Sequence, residues 1–429
     1  MIEGIGGPNK NTTLGGPVGN GEFQESSESS CLCNTISIKE IESELKHKIL
    51  DRIIQQGFQL DDDNNIKAFD MRDKDLIRRV HTPAKRERLI KNKKFLDKNE
   101  DKLINFFADG KDIDIKNFKA RLEVVSNETI TSDLFRYATL LWSVPVSNGF
   151  GRRVRFLVWD DNNGKLVGIF ALGDPVFNLN CRDEFIGWDW KARSKRLYNV
   201  MDIFILGAVP PYNRLLGGKL VAMLASANEV RNIIKKKYSH NKTVINNRKK
   251  DARLALLTTS SALGKSSLYD RIKYHDIKLF NSIGYSEGYG HFHLNHGLFE
   301  EMCHYLDLVS PGTSSKNRFG DGPNWKMRTA RICLQRLDLP PDLLKHGIRR
   351  EVYAIPLASN YAEFLRGDTR RLDENNIPLK KVVEFWKERW LYGRAERVPD
   401  YLSFEKTTIR DIINNSNIKT PEGLNGRGE

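Results

Sequence analysis

The stretch from about Leu197 to Leu294 constrains this chain most, because the period of its apolar residues changes partway through. Tyr198 to Val209 is an apolar, strand-like run that breaks at Pro210-Pro211. After Arg214-Leu-Leu-Gly217-Gly218-Lys219 the pattern becomes helical: Leu216, Leu220, Met223, Ala227, Val230 and Ile234 recur at three- and four-residue steps. Arg231, Lys235, Lys236 and Lys237 gather at the helix end, where cations suit the negative pole of the dipole. The order strand, glycine turn, helix predicts a central strand over Tyr198 to Val209 and one helix over Gly217 to Lys237. A second strand follows at Leu254 to Thr259. Leu279 to Tyr285 then reads as a short helix stopped by Gly284, and Tyr289 to Leu294 as another strand. Upstream, Val154 to Trp159 and Leu166 to Leu172 flank the turn residues Asp160 to Lys165 and predict an antiparallel hairpin.

Glycines at a helix start expose backbone N–H groups to an anion, usually a phosphate. This order resembles the core of the GNAT acyltransferases, in which an arginine- or glutamine-headed glycine turn holds the pyrophosphate of acyl-coenzyme A. Arg214, Gly217 and Gly218 match part of that turn, and Tyr269 lies near the place of the family's thiolate-protonating tyrosine. Lys219 stands where the family carries a small residue, and its four-carbon stem argues against tight coenzyme A binding. The alternative is that Gly217 and Gly218 only let strand and helix pack closely. The resemblance implies a mixed α/β fold with a mostly antiparallel sheet and an antiparallel pair before the pyrophosphate strand.

The chain has 429 residues and a net charge of +14, so its surface must carry a positive field and an anionic partner is expected. Nucleic acid, DNA foremost, fits better than a membrane, since there is no long apolar span, amphipathic anchor or lipidation motif. The start lacks the apolar heart of a signal peptide, and a cytoplasmic location is expected. Five scattered cysteines make no disulfide framework, and Cys31-x-Cys33 without a second pair makes no zinc site. Two basic clusters are candidate phosphate contacts. One contains Arg78, Arg79, Lys85, Arg86 and Arg88, followed by Lys91, Lys93 and Lys94; the other contains Lys235, Lys236, Lys237, Arg248, Lys249 and Lys250. Both can equally be ordinary solvated faces, and Asp73, Asp75 and Glu87 dilute the first.

The expected organisation is a flexible tail over residues 1–35, a basic helical region over 36–125, the α/β core over 126–297, a mainly helical region over 298–419 with one strand at Glu351 to Leu357, and a tail over 420–429. Ser37 and Glu40 read as a capping box opening the first helix, and Pro83 as a divider between two helices. Leu379, Val383, Trp386 and Trp390 share one helical face, as core or as stacking platforms for bases.

Arg182, Asp183 and Asp189 around Trp188 form a candidate polar site. An aspartate there can act as a general base if burial raises its pKa, and an arginine can hold a phosphate in a bidentate fork. The bland alternative is an Arg182 to Asp189 ion pair that ties down a loop. Thr258, Ser260 and Ser261 can line an acceptor site at the end of the second core strand. Gly264-Lys265-Ser266 ends like a phosphate loop but lacks its first glycine, which argues against ATP. His291 and His293, two apart on an expected strand, share a face without the further ligands of a zinc site. Asp61-Asp-Asp63 reads as a solvated turn, and no metal is expected.

Gly151 to Arg155, Arg182 to Asp189, Phe319 to Arg328, His346 to Ala358 and Glu388 to Trp390 occur in an order similar to the DruA family of the Druantia anti-phage defence system. The resemblance covers roughly residues 40 to 400. It implies a bacterial defence module whose partners include a large helicase-like protein, and it supplies no reaction. Three function classes follow: a nucleic-acid-binding defence component, a group-transferase of GNAT type acting on nucleic acid or protein, and a structural adaptor for the defence complex.

Overall fold

Apolar side chains point to both faces of the central strands, so the sheet has to be covered twice, and the helices are distributed accordingly. The computed structural model describes residues 27–67, 73–146, 151–240, 251–294, 297–318 and 324–414. In chain order, the N-terminal part supplies helices α1 (Ser27–Gln55) and α2 (Lys74–Leu103), strand β1 (Ala120–Val124) and helix α3 (Ile130–Thr139). The centre supplies β2 (Arg153–Asp160), β3 (Lys165–Gly173), α4 (Asn180–Ile186), α5 (Trp190–Arg196), β4 (Val200–Ala208), α6 (Gly217–Leu224), α7 (Asn228–Tyr238) and β5 (Leu256–Ser260). A short helix α8 (Ser267–Asp270) and a small hairpin, β6 (Lys273–Tyr274) and β7 (Ile277–Lys278), lead to β8 (Asn281–Tyr285). The remainder comprises α9 (Leu298–Val309), α10 (Thr313–Lys316), α11 (Asn324–Arg336), β9 (Glu351–Pro356), α12 (Tyr361–Arg366), α13 (Leu379–Trp386), α14 (Tyr392–Arg397) and α15 (Thr408–Asn414).

Seven strands form one sheet in the order β1-β2-β3-β4-β5-β9-β8. Every neighbouring pair is antiparallel except β4 and β5. The fold is therefore mixed α/β with a mostly antiparallel sheet and helical extensions at both ends, as the sequence implies. The β2–β3 hairpin forms across Asp160 and Lys165, where Asn163 and Gly164 make the turn. On one face, Phe156 stacks on Phe170 at 4.6 Å and packs with Met201, α6, α7 and Trp386. On the other, Leu157, Trp159, Ile169 and Ile205 pack against α3, the end of α2 and α15. A separate core joins the extensions, with α1, the start of α2, α9 and α11 burying Ile49, Ile77, Met302 and Leu334 together.

Several expectations need correction. α1 reaches back to Ser27, so Ser37 lies inside the helix and not at its start. Pro83 sits within an unbroken α2; the cap comes from Asp73, whose carboxylate accepts from the N–H groups of Asp75 and Leu76. The helix after the glycine turn is two helices. At the break the Ser226 hydroxyl donates to the Met223 carbonyl, and Ala227 turns extended before α7 starts. Asn281 to Tyr285 is strand β8 rather than a helix, because pairing with β9 overrides the local pattern. The expected strand after it is a single bridge at Tyr289 and a helical turn over Phe292–Leu294. β9 lies between β5 and β8, so the sheet takes a strand from well beyond the expected core boundary at residue 297. Among the described residues no helix is long and apolar enough to cross a membrane.

Candidate functional site

β4 and β5 pair only over Val200 to Asp202 and Leu256 to Thr258. Alternate residues of a strand share a face, so Val200, Leu256, Asp202 and Thr258 project to the same side of the sheet. Val200 and Leu256 are covered there by Ile186, Trp188, Phe364 and Leu365 from the region of α4, α5 and α12. One step further along the strands the cover stops. Asp202, Thr258 and Ser260 then line a cleft of about 1110 Å³. Its walls are the segment Pro175 to Leu179, the segment Ser286 to Phe292, Met327, Arg328 and Arg331 of α11, and His346, Ile348 and Arg350 ahead of β9. Six separated stretches of chain meet in it.

At the floor, Thr258 Oγ1 donates to Asp202 Oδ1 at 2.7 Å. Burial pushes the Asp202 carboxyl up to about 6, against the opposing pull of that hydrogen bond and of the Arg182 charge. A carboxyl so placed exchanges a proton near neutral pH, which is the property expected of a general acid or base. Across the cleft, Arg331 donates to the Tyr289 hydroxyl at 2.5 Å and Arg328 to the Asn317 carbonyl at 2.9 Å. The Arg350 guanidinium has no hydrogen-bond or carboxylate partner among the described residues, and burial lowers its pKa. Behind Arg350 stand buried, neutral imidazoles. Burial first, and the nearby positive charge second, pull His81 down to about 3; burial and neighbouring imidazoles pull His346 to about 2. His293 is fully buried and bonds the Leu343 carbonyl; it sits in a helical turn, not beside His291 on a strand. Among the described residues no three His, Cys, Asp or Glu side chains are grouped to hold a metal ion.

The polar cluster expected at Arg182 builds one wall of this cleft. Arg182 is completely buried, and its Nη1 and Nη2 donate to the carbonyls of Val176 and Phe177 at 2.7 and 2.8 Å. Its remaining bonds go to Asp183 Oδ1, which also accepts from Trp188 Nε1 at 2.8 Å, while Arg193 bonds Asp183 Oδ2 at 2.6 Å. These bonds hold the Asp183 carboxyl below the usual range despite the opposing, and largest, effect of burial. Asp183 thus anchors two ion pairs, with Arg182 and with Arg193. Asp189 caps α5 through the Ala192 N–H, so the expected Arg182 to Asp189 pair is replaced by Arg182 to Asp183.

The glycine turn lies on the opposite face of the sheet, away from the cleft. A Cβ on Gly217 would stand 2.7 Å from the Tyr212 carbonyl oxygen, so close packing requires glycine there. The turn is covered by the C-terminal helices: Trp386 Nε1 donates to the Leu216 carbonyl, Lys219 Nζ lies 4.5 Å from the Trp390 ring centre, and Arg214 bonds the Asp400 carbonyl. Tyr269 stacks on Phe280 at 4.8 Å, and burial pushes its phenol up to about 12. It takes no part in the cleft. Lys265 pairs with Asp270 and Ser266 caps α8, leaving no phosphate loop.

The first basic cluster is largely spent internally. Arg78 pairs with Asp75, Arg79 approaches Asp73, Lys91 pairs with Glu87, Lys85 is buried, and Arg88 turns inward to Thr139; Arg86 stays exposed. The second cluster is different. Lys235, Lys236 and Lys237 are exposed on the last turns of α7, and Lys237 reaches the Arg153 carbonyl at 3.1 Å. Lys237 is held below its usual pKa by burial and by Arg155, and Arg155 by burial and by Arg153. Arg248, Lys249 and Lys250 lie outside the described residues. Sequence reasoning missed Asp202, Arg331 and Arg350; an aspartate interrupting the apolar run of β4 was the available signal.

The family model "Druantia protein DruA" matches residues 71–367. A Druantia protein DruA from Escherichia coli (strain UMEA 4076-1) is 42% identical over 387 residues, spanning 90% of this chain and 96% of the relative. No solved structure matches the chain. The matched span runs from before α2 to the end of α12 and takes in all seven strands of the sheet and every wall of the cleft, and on these grounds the chain belongs to the DruA family.

Proposed function

We propose that this protein is a bacterial anti-phage defence component that binds nucleic acid, DNA foremost, through phosphate contacts and works with a helicase-like partner. The observation that carries the binding is the patch of Lys235, Lys236, Lys237 and Arg155. Among the described residues none of these four has a carboxylate partner; burial and then Arg155 hold Lys237 below its usual pKa, and burial and then Arg153 do the same to Arg155. Like charges held together without acids are stabilised by an external polyanion. The helicase-like partner comes from the family resemblance.

The test is duplex binding as a function of salt. Affinity should fall with a slope of about 0.9 per neutralised phosphate and show little sequence preference. Replacing Lys235, Lys236 and Lys237 together with alanine should weaken all sequences alike and flatten the slope. Unchanged affinity and slope would remove α7 from the contact surface. No binding by the wild type at low salt would remove the nucleic-acid reading and leave the adaptor, for which co-elution with the helicase-like protein is the readout.

The group-transferase reading retains one supporting observation: an antiparallel pair precedes β4, a glycine turn and helix follow it, and β5 pairs with it in parallel, consistent with a GNAT-like core. Against acyl-coenzyme A stands the occupation of that turn by Trp386, Trp390 and the Asp400 carbonyl.

A further inference from the structure

None of Lys235, Lys236, Lys237 and Arg155 lines the cleft above Asp202, and the chemistry of the cleft is more selective. We infer that it receives an unpaired nucleotide of a single DNA strand, with Arg331 and Arg350 on phosphate, Phe177 and Tyr289 against the base, and Asp202 with Thr258 facing the base edge. This deepens the nucleic-acid reading and rests on it.

Four observations converge. The volume, about 1110 Å³, exceeds what an inorganic anion needs and suits a nucleotide with its flanking backbone. The cations are arginines, whose planar forks match phosphate oxygens, and Arg350 has no partner of its own among the described residues. At the mouth, Phe177 is 52% exposed and Tyr289 40%, although large aromatics are usually covered. Exposed aromatics beside arginines provide stacking surfaces for bases that a duplex keeps to itself. At the floor, Asp202 has one oxygen engaged by Thr258, and its other oxygen can accept from the amino or imino groups of a base.

Geometry separates this occupant from a duplex. Asp202 and Thr258 lie at the bottom of a walled cleft, whereas a paired base shows only its groove edges; reaching the floor requires a base outside the stack. The Arg182 anchor is consistent with this role, since it fixes the carbonyls of Val176 and Phe177 and so sets where the Phe177 ring stands. Arg193 lies 4.7 Å from the centre of that ring and supports it from behind.

The experiment uses the full chain with a 20-nucleotide single strand carrying 2-aminopurine, the same strand annealed as a duplex, and a deoxynucleoside monophosphate as competitor. Expected results are quenching of 2-aminopurine on single-strand binding, loss of that quenching in Phe177→Ala, and at least tenfold weaker single-strand binding in Arg331→Ala/Arg350→Ala with duplex affinity within about twofold of wild type. Arg331→Ala alone, at an exposed position, should weaken single-strand binding in the same direction and guards against misfolding of the double variant. If the double variant binds single strands as wild type does, or if duplex and single strand lose affinity equally, the cleft inference is overturned while the α7 reading survives. Competition by the monophosphate at concentrations equal to those of the oligonucleotide would also overturn it, assigning the cleft to free nucleotides. If the wild type binds neither strand form at low salt, both readings fall together.

Discussion

Thr258 on β5 donates a 2.7 Å hydrogen bond to Asp202 on β4, directly across the one parallel pair of the sheet. The bond steadies a carboxyl that burial nonetheless raises to about 6. Relative to an unfolded value near 4, the folded state holds the Asp202 proton more tightly, so its contribution to stability is fully present below pH 4 and is lost as pH rises through 6. Asp202→Asn should remove a penalty of about 3 kcal/mol at pH 7.5 and little at pH 4. Urea denaturation of the two proteins at both pH values checks this; a constant difference would mean an ordinary, solvated carboxyl.

The buried imidazoles give the opposite slope. His81 has a folded pKa of about 3, below its unfolded value, so its contribution is present above about pH 6.5 and disappears as pH falls toward 3. Its Nε2 is buried without a hydrogen-bond partner among the described residues, and its ring lies 4.4 Å from Phe292. His81→Phe should therefore raise stability by about 1 kcal/mol at pH 7 and shrink the loss between pH 6.5 and 4.5. Melting temperatures across that window are the readout, and a destabilised variant with an unaltered acid slope would contradict the assignment.

Arg182→Ala should destabilise the protein by about 3 kcal/mol, because it removes a completely buried side chain and leaves the Val176 and Phe177 carbonyls and the Asp183 carboxylate short of their donor. Arg182→Lys should recover only part, since an ammonium cannot reach Val176, Phe177 and Asp183 with the same planar fork. Faster amide exchange in residues 176–179 would locate the damage at the cleft wall.

Acetyl-coenzyme A should show no saturable micromolar binding in calorimetry. The Gly217 N–H donates to the Tyr212 carbonyl and the Lys219 N–H to the Leu216 carbonyl, so the turn has few free donors for a pyrophosphate, and Trp386 closes over it. Binding at that level would restore the transferase reading.

How much of this was legible depends on range. β4 and the β2–β3 hairpin could be read because long apolar runs bounded by Pro, Asn and Gly encode their own ends. The two-helix break at Ser226 and the strand at Asn281 to Tyr285 could not, since one depends on a hydroxyl folding back to Met223 and the other on a partner some seventy residues away in β9. The cluster at Arg182 was found, and of its two readings the structure carries the ion pair that ties down a loop, with Asp183 as the partner in place of Asp189. The cleft itself combines floor and walls from strands, loops and α11, a proximity that no local period carries.

The position of β9 between β5 and β8 has a consequence for biosynthesis. As the chain leaves the ribosome, β5 and β8 emerge with bare edges and remain so until Glu351 to Pro356 has been made. Until then two rows of open amide and carbonyl groups invite pairing with any other extended chain. Fragments ending before residue 351 should aggregate rather than persist as a smaller domain, and the last-arriving strand, by inserting between two waiting ones, closes the sheet and the cleft in a single act.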